Sequence, residues 1–138
     1  MIADGDVDII SMEHLQRALK VLVSNMASAL FASVSMIDGR AVAYVGGAAA
    51  DGDPQRVAAL ASSLLGLIES FSHEALGAIS RYSTIATDAG SIVIARIPCR
   101  SGMYIFCQYV DRSDPLALAI RSTLDGAGKL GAVLDADA

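Results

Sequence analysis

Apolar residues recur at three- and four-residue spacing at Leu15, Ala18, Leu19, Leu22 and Met26, with Arg17 and Lys20 turned the other way. This is the period of a helix with one face against a core. Ser11 ahead of the stripe suits a cap and Glu13 a first turn, so a helix is predicted over residues 11–28. A β-prone run from 29 to 37 follows, then Asp38-Gly39, then a second run from 40 to 45. Asp-Gly between two such runs predicts a hairpin closed by a type I′ turn, which needs positive φ at both central residues. Residues 46–52, Gly-Gly-Ala-Ala-Ala-Asp-Gly, are too small and flexible to build a core element.

Asp53-Pro54 then reads as a cap followed by proline at the first helical position. Val57, Leu60, Ala61, Leu64, Leu65, Ile68, Phe71 and Ala75 continue as a long helical stripe that ends near Gly77. Ala58, Ser62, Ser63, Gly66 and Ser70 lie beside it, small enough to let another helix approach closely. Gly66 costs about 1 kcal/mol against alanine in a helix interior, which close packing would offset. Three strands follow, over 79–87, 91–98 and 103–110, joined as a meander by the turns at 88–90 and 99–102. Asp114-Pro115 repeats the helix entry, and Leu116, Ala119, Ile120, Leu124 and Ala127 supply a third stripe. Gly126, Gly128 and Gly131 predict that its end frays.

The resulting order, α-β-β-α-β-β-β-α, predicts an α+β fold: an α/β sandwich with one five-stranded antiparallel sheet and helices for both faces. Consecutive apolar residues in Ile92-Val93-Ile94-Ala95 and Tyr104-Ile105-Phe106-Cys107 call for cover on both sides of the central strands. One domain spans residues 1–138, with an ordered core over about 11–125 and acidic, fraying ends.

Composition adds a surplus of apolar surface. The 138 residues are 54% hydrophobic and 18% charged, which excludes disorder and leaves apolar area for a partner to bury. No uncharged apolar run reaches the roughly 20 residues of a membrane span. The start, Met1 to Asp8, is acidic rather than basic and apolar, so no export signal is expected. Cys99 and Cys107 have no C-x-x-C spacing, and a reducing cytoplasm is the expected compartment. The net charge of −5 resides entirely in the tails, at Asp4, Asp6, Asp8, Asp125, Asp135 and Asp137 against Lys129, while residues 9–124 are balanced. Such a body offers no basic stripe for nucleic acid or for an anionic membrane, which leaves proteins as the expected partners.

Reactive groups are few. His73-Glu74 begins a metalloprotease-like pattern, but position 77 is glycine where a second histidine would be needed. His14 reads as a surface residue. Gly126-Ala127-Gly128-Lys129-Leu130 lacks the Ser or Thr after lysine and the preceding strand of a phosphate loop. Cys107 lies in an apolar strand, and Cys99 beside Arg100 is the only thiol placed for reactivity. Arg40, Arg56 and Arg96 read as solvated surface residues rather than phosphoryl-stabilising fingers. No catalytic, cofactor-binding or metal-binding residue is assigned, and the chain is expected not to be an enzyme.

Element order, the strand ending in Ile37-Asp38-Gly39-Arg40-Ala41-Val42-Ala43, the Ala/Leu helix after Asp53-Pro54, and the run from Ser91 to Ile97 leading to Tyr104-Ile105-Phe106-Cys107-Gln108-Tyr109-Val110-Asp111 resemble the roadblock family. That family takes its name from a dynein light chain and includes bacterial regulators of Ras-like GTPases. The resemblance covers about residues 11–125. It implies a roadblock/profilin-like sheet with the long helix on one face and the terminal helices on the other. It also implies pairing with a second copy or a paralogue through the long helix and third strand. Mapped here, that surface is Ala58, Ser62, Gly66 and Ser70 with Tyr82, Thr84 and Ala86. The residues from Ser80 to Thr87 carry one charge, Arg81, and no proline, which leaves this strand poorly defended against pairing. The function implied is a dimeric interaction module that regulates or scaffolds a small Ras-like GTPase. The alternative is a small-ligand sensor of profilin-like or PAS-like type, for which Ser33, Ser35 and Gln108 are the buried polar candidates.

Overall fold

A computed structural model describes residues 9–46 and 53–137; the acidic leader and most of the glycine-alanine segment lie outside the described residues. Three helices and five strands follow in the expected order: α1 (Ile9–Ser24), β1 (Ala29–Met36), β2 (Ala41–Gly46), α2 (Pro54–Leu76), β3 (Tyr82–Thr87), β4 (Gly90–Arg96), β5 (Tyr104–Asp111) and α3 (Leu116–Ala136). The strands form one antiparallel sheet in the order β2-β1-β5-β4-β3. Hairpin and meander are joined by the β1–β5 pair, which runs from Ala29 opposite Val110 to Met36 opposite Tyr104.

Neighbouring strand residues point to opposite faces, and the core divides accordingly. Ala32, Val34, Ala43, Ile97 and Phe106 meet Leu15 and Leu19 of α1 and Ala127 and Leu130 of α3. On the other face Ile94, Ile105 and Cys107 meet Leu65 of α2. The long helix therefore lies on one face and the terminal helices on the other.

Several local expectations are corrected. Helix α1 starts before Ser11, which is buried within it rather than capping it, and Glu13 falls beyond the first turn. The hairpin turn is not type I′: among the described residues only glycines have positive φ, and here it is Gly39, at φ 96°. Gly39 N–H donates to Met36 O at 2.9 Å and Met36 N–H to Arg40 O at 2.8 Å, a three-residue loop with glycine in the bulge position. Strand β3 begins at Tyr82 rather than at 79. Strand β4 ends at Arg96, just before Pro98, which has no N–H to donate. Asp114 does not cap α3; it accepts from Ser28 Oγ, and Pro115 stands at the cap position.

The largest correction concerns the end of α3, which runs to Ala136 instead of fraying. Two of its glycines, Gly126 and Gly131, are points of close approach, while Gly128 faces open space. A Cβ on Gly131 would stand 2.1 Å from Pro98 O, and one on Gly126 3.2 Å from the Phe106 ring. What the helix loses in glycine entropy is offset by how near it lies to the sheet.

Candidate interaction surface

Helix α2 is fixed at both ends. Asp53 Oδ1 accepts from Gln55 N–H at 3.1 Å, Pro54 occupies the first turn, and Gly77, left-handed at φ 64°, returns its N–H to His73 O at 2.8 Å. Val57, Ala58, Ala61 and Leu65 are its buried residues. Small residues beside them receive the β1–β2 turn: Ser62 Oγ donates to Ile37 O, and a Cβ on Gly39 would lie 3.6 Å from Ala59 Cα. The hairpin tip is thus seated against the small-residue side of the helix.

This seating turns the large residues outward on the opposite flank. Leu60, Leu67 and Phe71 are 61%, 70% and 76% exposed, and with half-buried Leu64 they repeat at helical period. Between that flank and the β3 side of the sheet runs an apolar groove of about 200 Å³, lined by Leu60 and Leu64 above and by Ile85, Ile92 and Tyr109 below. Ile85, on the outermost strand, is 40% exposed. Among the described residues no strand pairs with the outer side of β3. An unpaired backbone margin and a leucine-phenylalanine stripe therefore lie side by side.

The residues singled out from the sequence divide. Tyr82 and Ala86 are exposed on the free strand and Thr84 is half-buried there. By register with Ala95, Val93 and Ser91, all three side chains point to the α1–α3 face, while Ser83 and Ile85 point to the α2 face. On the helix, Gly66 and Ser70 are exposed, but Ala58 is 1% exposed and Ser62 is bonded to the hairpin. In the single chain, Ala58 is buried in the core and Ser62 bonds its own hairpin turn. Leu60 and Phe71 belong to the stripe read from the sequence, and an apolar stripe wider than the buried contact looks like core throughout; Leu67 lies outside that stripe and is not singled out by it.

Candidate chemistry is dispersed. His73 is exposed at the helix end, and among the described residues no group of three His, Cys, Asp or Glu could hold a metal ion. His14 Nδ1 lies 2.9 Å from Asp137 Oδ2. Arg40 pairs with Asp38 at 2.9 Å and Arg96 with Glu69 at 3.2 Å. Gly126 to Lys129 lie inside α3, so their N–H groups cannot cradle a phosphate as a loop would. Burial pushes the Cys107 thiol up to about 12, far from a thiolate. Cys99 is half-buried, with Sγ 3.5 Å from Ser101 Oγ.

The polar groups considered for a ligand pocket do not converge. Ser33 and Ser35 Oγ are buried without a hydrogen-bond partner on the α2 face, outside the lining of the groove. Gln108 points to the other face, where Nε2 lies 3.3 Å from Met26 Sδ. A second open groove, about 550 Å³, separates α1 from α3, with Ala18, Val21 and Val133 in its floor and Arg17 and Lys129 at its rim. No helix among the described residues is long and apolar enough to cross a membrane.

No protein-family model and no curated protein matches the chain. Solved structures do. A structure of MglB with tetrameric arrangement superposes with a TM-score of 0.81 at 11% identity, covering 100% of both chains. The gliding protein MglB from Thermus thermophilus gives 0.79 at 11% identity over 99% of both. A roadblock/LC7 domain from Streptomyces avermitilis gives 0.70 at 18% identity, over 83% of this chain and 92% of that one. The chain has the roadblock fold.

Proposed function

We propose that this protein is a non-catalytic interaction module that pairs with a second copy of itself through β3 and the outer flank of α2, and that the pair regulates or scaffolds a small Ras-like GTPase. The observation carrying the pairing is the unpaired β3 margin facing Leu60 across an apolar groove, with Leu67 and Phe71 exposed further along the same flank of α2. Strand addition supplies main-chain hydrogen bonds, and the apolar flank supplies the area whose burial drives association. The tetrameric arrangement of a protein with the same fold supports self-association. The GTPase is implied by the family resemblance of the sequence. Its recognition needs surface complementarity to one nucleotide state rather than a reactive group.

Two measurements test this. Light scattering is expected to give the mass of two chains for the wild type and of one chain for Leu67→Asp/Phe71→Asp, whose substitutions fall on exposed positions and spare the monomer. Small Ras-like GTPases of the same cell, loaded with GDP or a non-hydrolysable GTP analogue, are then titrated with the protein. Different affinities for the two states support regulation, equal affinities leave scaffolding, and no binding to either removes the GTPase from the proposal.

A further inference from the structure

The other margin of the sheet is met by helix side chains at two of its residues, Tyr44 and Ala41. Gln16 of α1 reaches Tyr44 of β2, donating from Nε2 to Tyr44 O at 2.7 Å and accepting from Tyr44 N–H through Oε1 at 3.0 Å. At the turn end of the strand, Gln55 of α2 accepts from Ala41 N–H at 3.1 Å and donates to Gly39 O. A carboxamide carries the same C=O and N–H pair as a peptide unit, so Gln16 occupies both backbone groups of Tyr44 and Gln55 the N–H of Ala41 that a further strand would use, Gln55 being anchored by the turn carbonyl of Gly39. Strand β2, Ala-Val-Ala-Tyr-Val-Gly, contains no lysine, arginine or proline of its own to repel a neighbour.

We propose that Gln16 and Gln55 are assembly stops, which confine docking of a second copy to β3 and so end association at a closed pair. This rests on the pairing proposed above. A β3-to-β3 contact is isologous and uses up both open margins. If β2 were also open, β3-to-β3 and β2-to-β2 contacts would alternate and the sheet would grow without closing.

The test is light scattering over a concentration series on Gln16→Ala/Gln55→Ala, alone and together with Leu67→Asp/Phe71→Asp. Alone, the variant's mass is expected to rise with concentration to at least about twice that of the wild type. With the α2 flank blocked, it is expected to stop at two chains, joined through β2. Gln16→Lys/Gln55→Lys removes the same hydrogen bonds but places charge on the margin, and its mass is expected to stay at the wild-type value. Growth of the lysine variant equal to that of the alanine variant would assign the effect to lost stability and overturn the proposal, as would unchanged mass of the folded alanine variant in both backgrounds. A wild type of one chain, with the alanine variant rising to two, would remove the β3 pairing while upholding the stops.

Discussion

The two outermost strands are six residues each and both are apolar or neutral, yet helix side chains bond the margin of β2 at Tyr44 and Ala41, while among the described residues no strand pairs with the outer side of β3. Around β2, α1 and α2 lend glutamine side chains to the backbone, and the hairpin tip is held by Ser62 of α2. Around β3 the sheet extends past its helix, and Leu60, Leu67 and Phe71 remain in solvent. Whether a margin is open is decided here by side chains from helices distant in sequence. Strand composition does not reveal it.

The comparison can be broken by core substitution on either side. Phe106, fully buried beneath Gly126, is expected to cost about 3–5 kcal/mol when changed to alanine, whereas Phe71→Ala stays within about 0.5 kcal/mol in dilute solution. Denaturant unfolding at low protein concentration measures both; comparable losses would mean that Phe71 is not a surface residue of the single chain.

Glycine substitutions sharpen the contrast with a smaller effect. Gly131→Ala drives a methyl group into Pro98 O and is expected to destabilise by about 1–3 kcal/mol. Gly66→Ala meets nothing within 4 Å and is expected to stabilise by up to about 1 kcal/mol through helix propensity. Opposite shifts in Tm are the expected result.

An effect absent at neutral pH reports on the lining of the apolar groove, to which Cys107 belongs. Burial raises its thiol from 9.0 to about 12, so over that interval the unfolded chain sheds a proton that the folded chain keeps. Stability is unaffected below pH 9.0 and falls as pH rises above it, by about 1.4 kcal/mol near pH 10. Cys107→Val is expected to lack that part of the decline, measured as the difference between Tm-versus-pH curves of the two proteins.

Element order, the Asp53-Pro54 helix entry and the presence of the hairpin were legible in the sequence because each depends on neighbours a few residues apart. Helix α2 shows where such reading stops. Its periodicity names a stripe, but the stripe is wider than the contact: Leu60 and Phe71 within it stay outside, while the hairpin tip seats against Ala59 on the other flank. Gln16 reads as one more polar residue of a solvated face, since its partner is 28 positions away. Gly126 and Gly131 of α3 read as weakness because the Phe106 ring and the Pro98 backbone that approach them are invisible from the helix alone.

The seam between β1 and β5 has a consequence for how the chain reaches this shape. Phe31 meets Tyr109 there, with ring centroids 5.0 Å apart, across most of the length of the polypeptide. Hairpin and meander can each form early from local contacts, but closing the loop between them is slow. Until they zip together each half-sheet presents a raw inner border, and in a crowded solution that border can accept the complementary half of another molecule, an exchange of segments instead of a docking of finished surfaces.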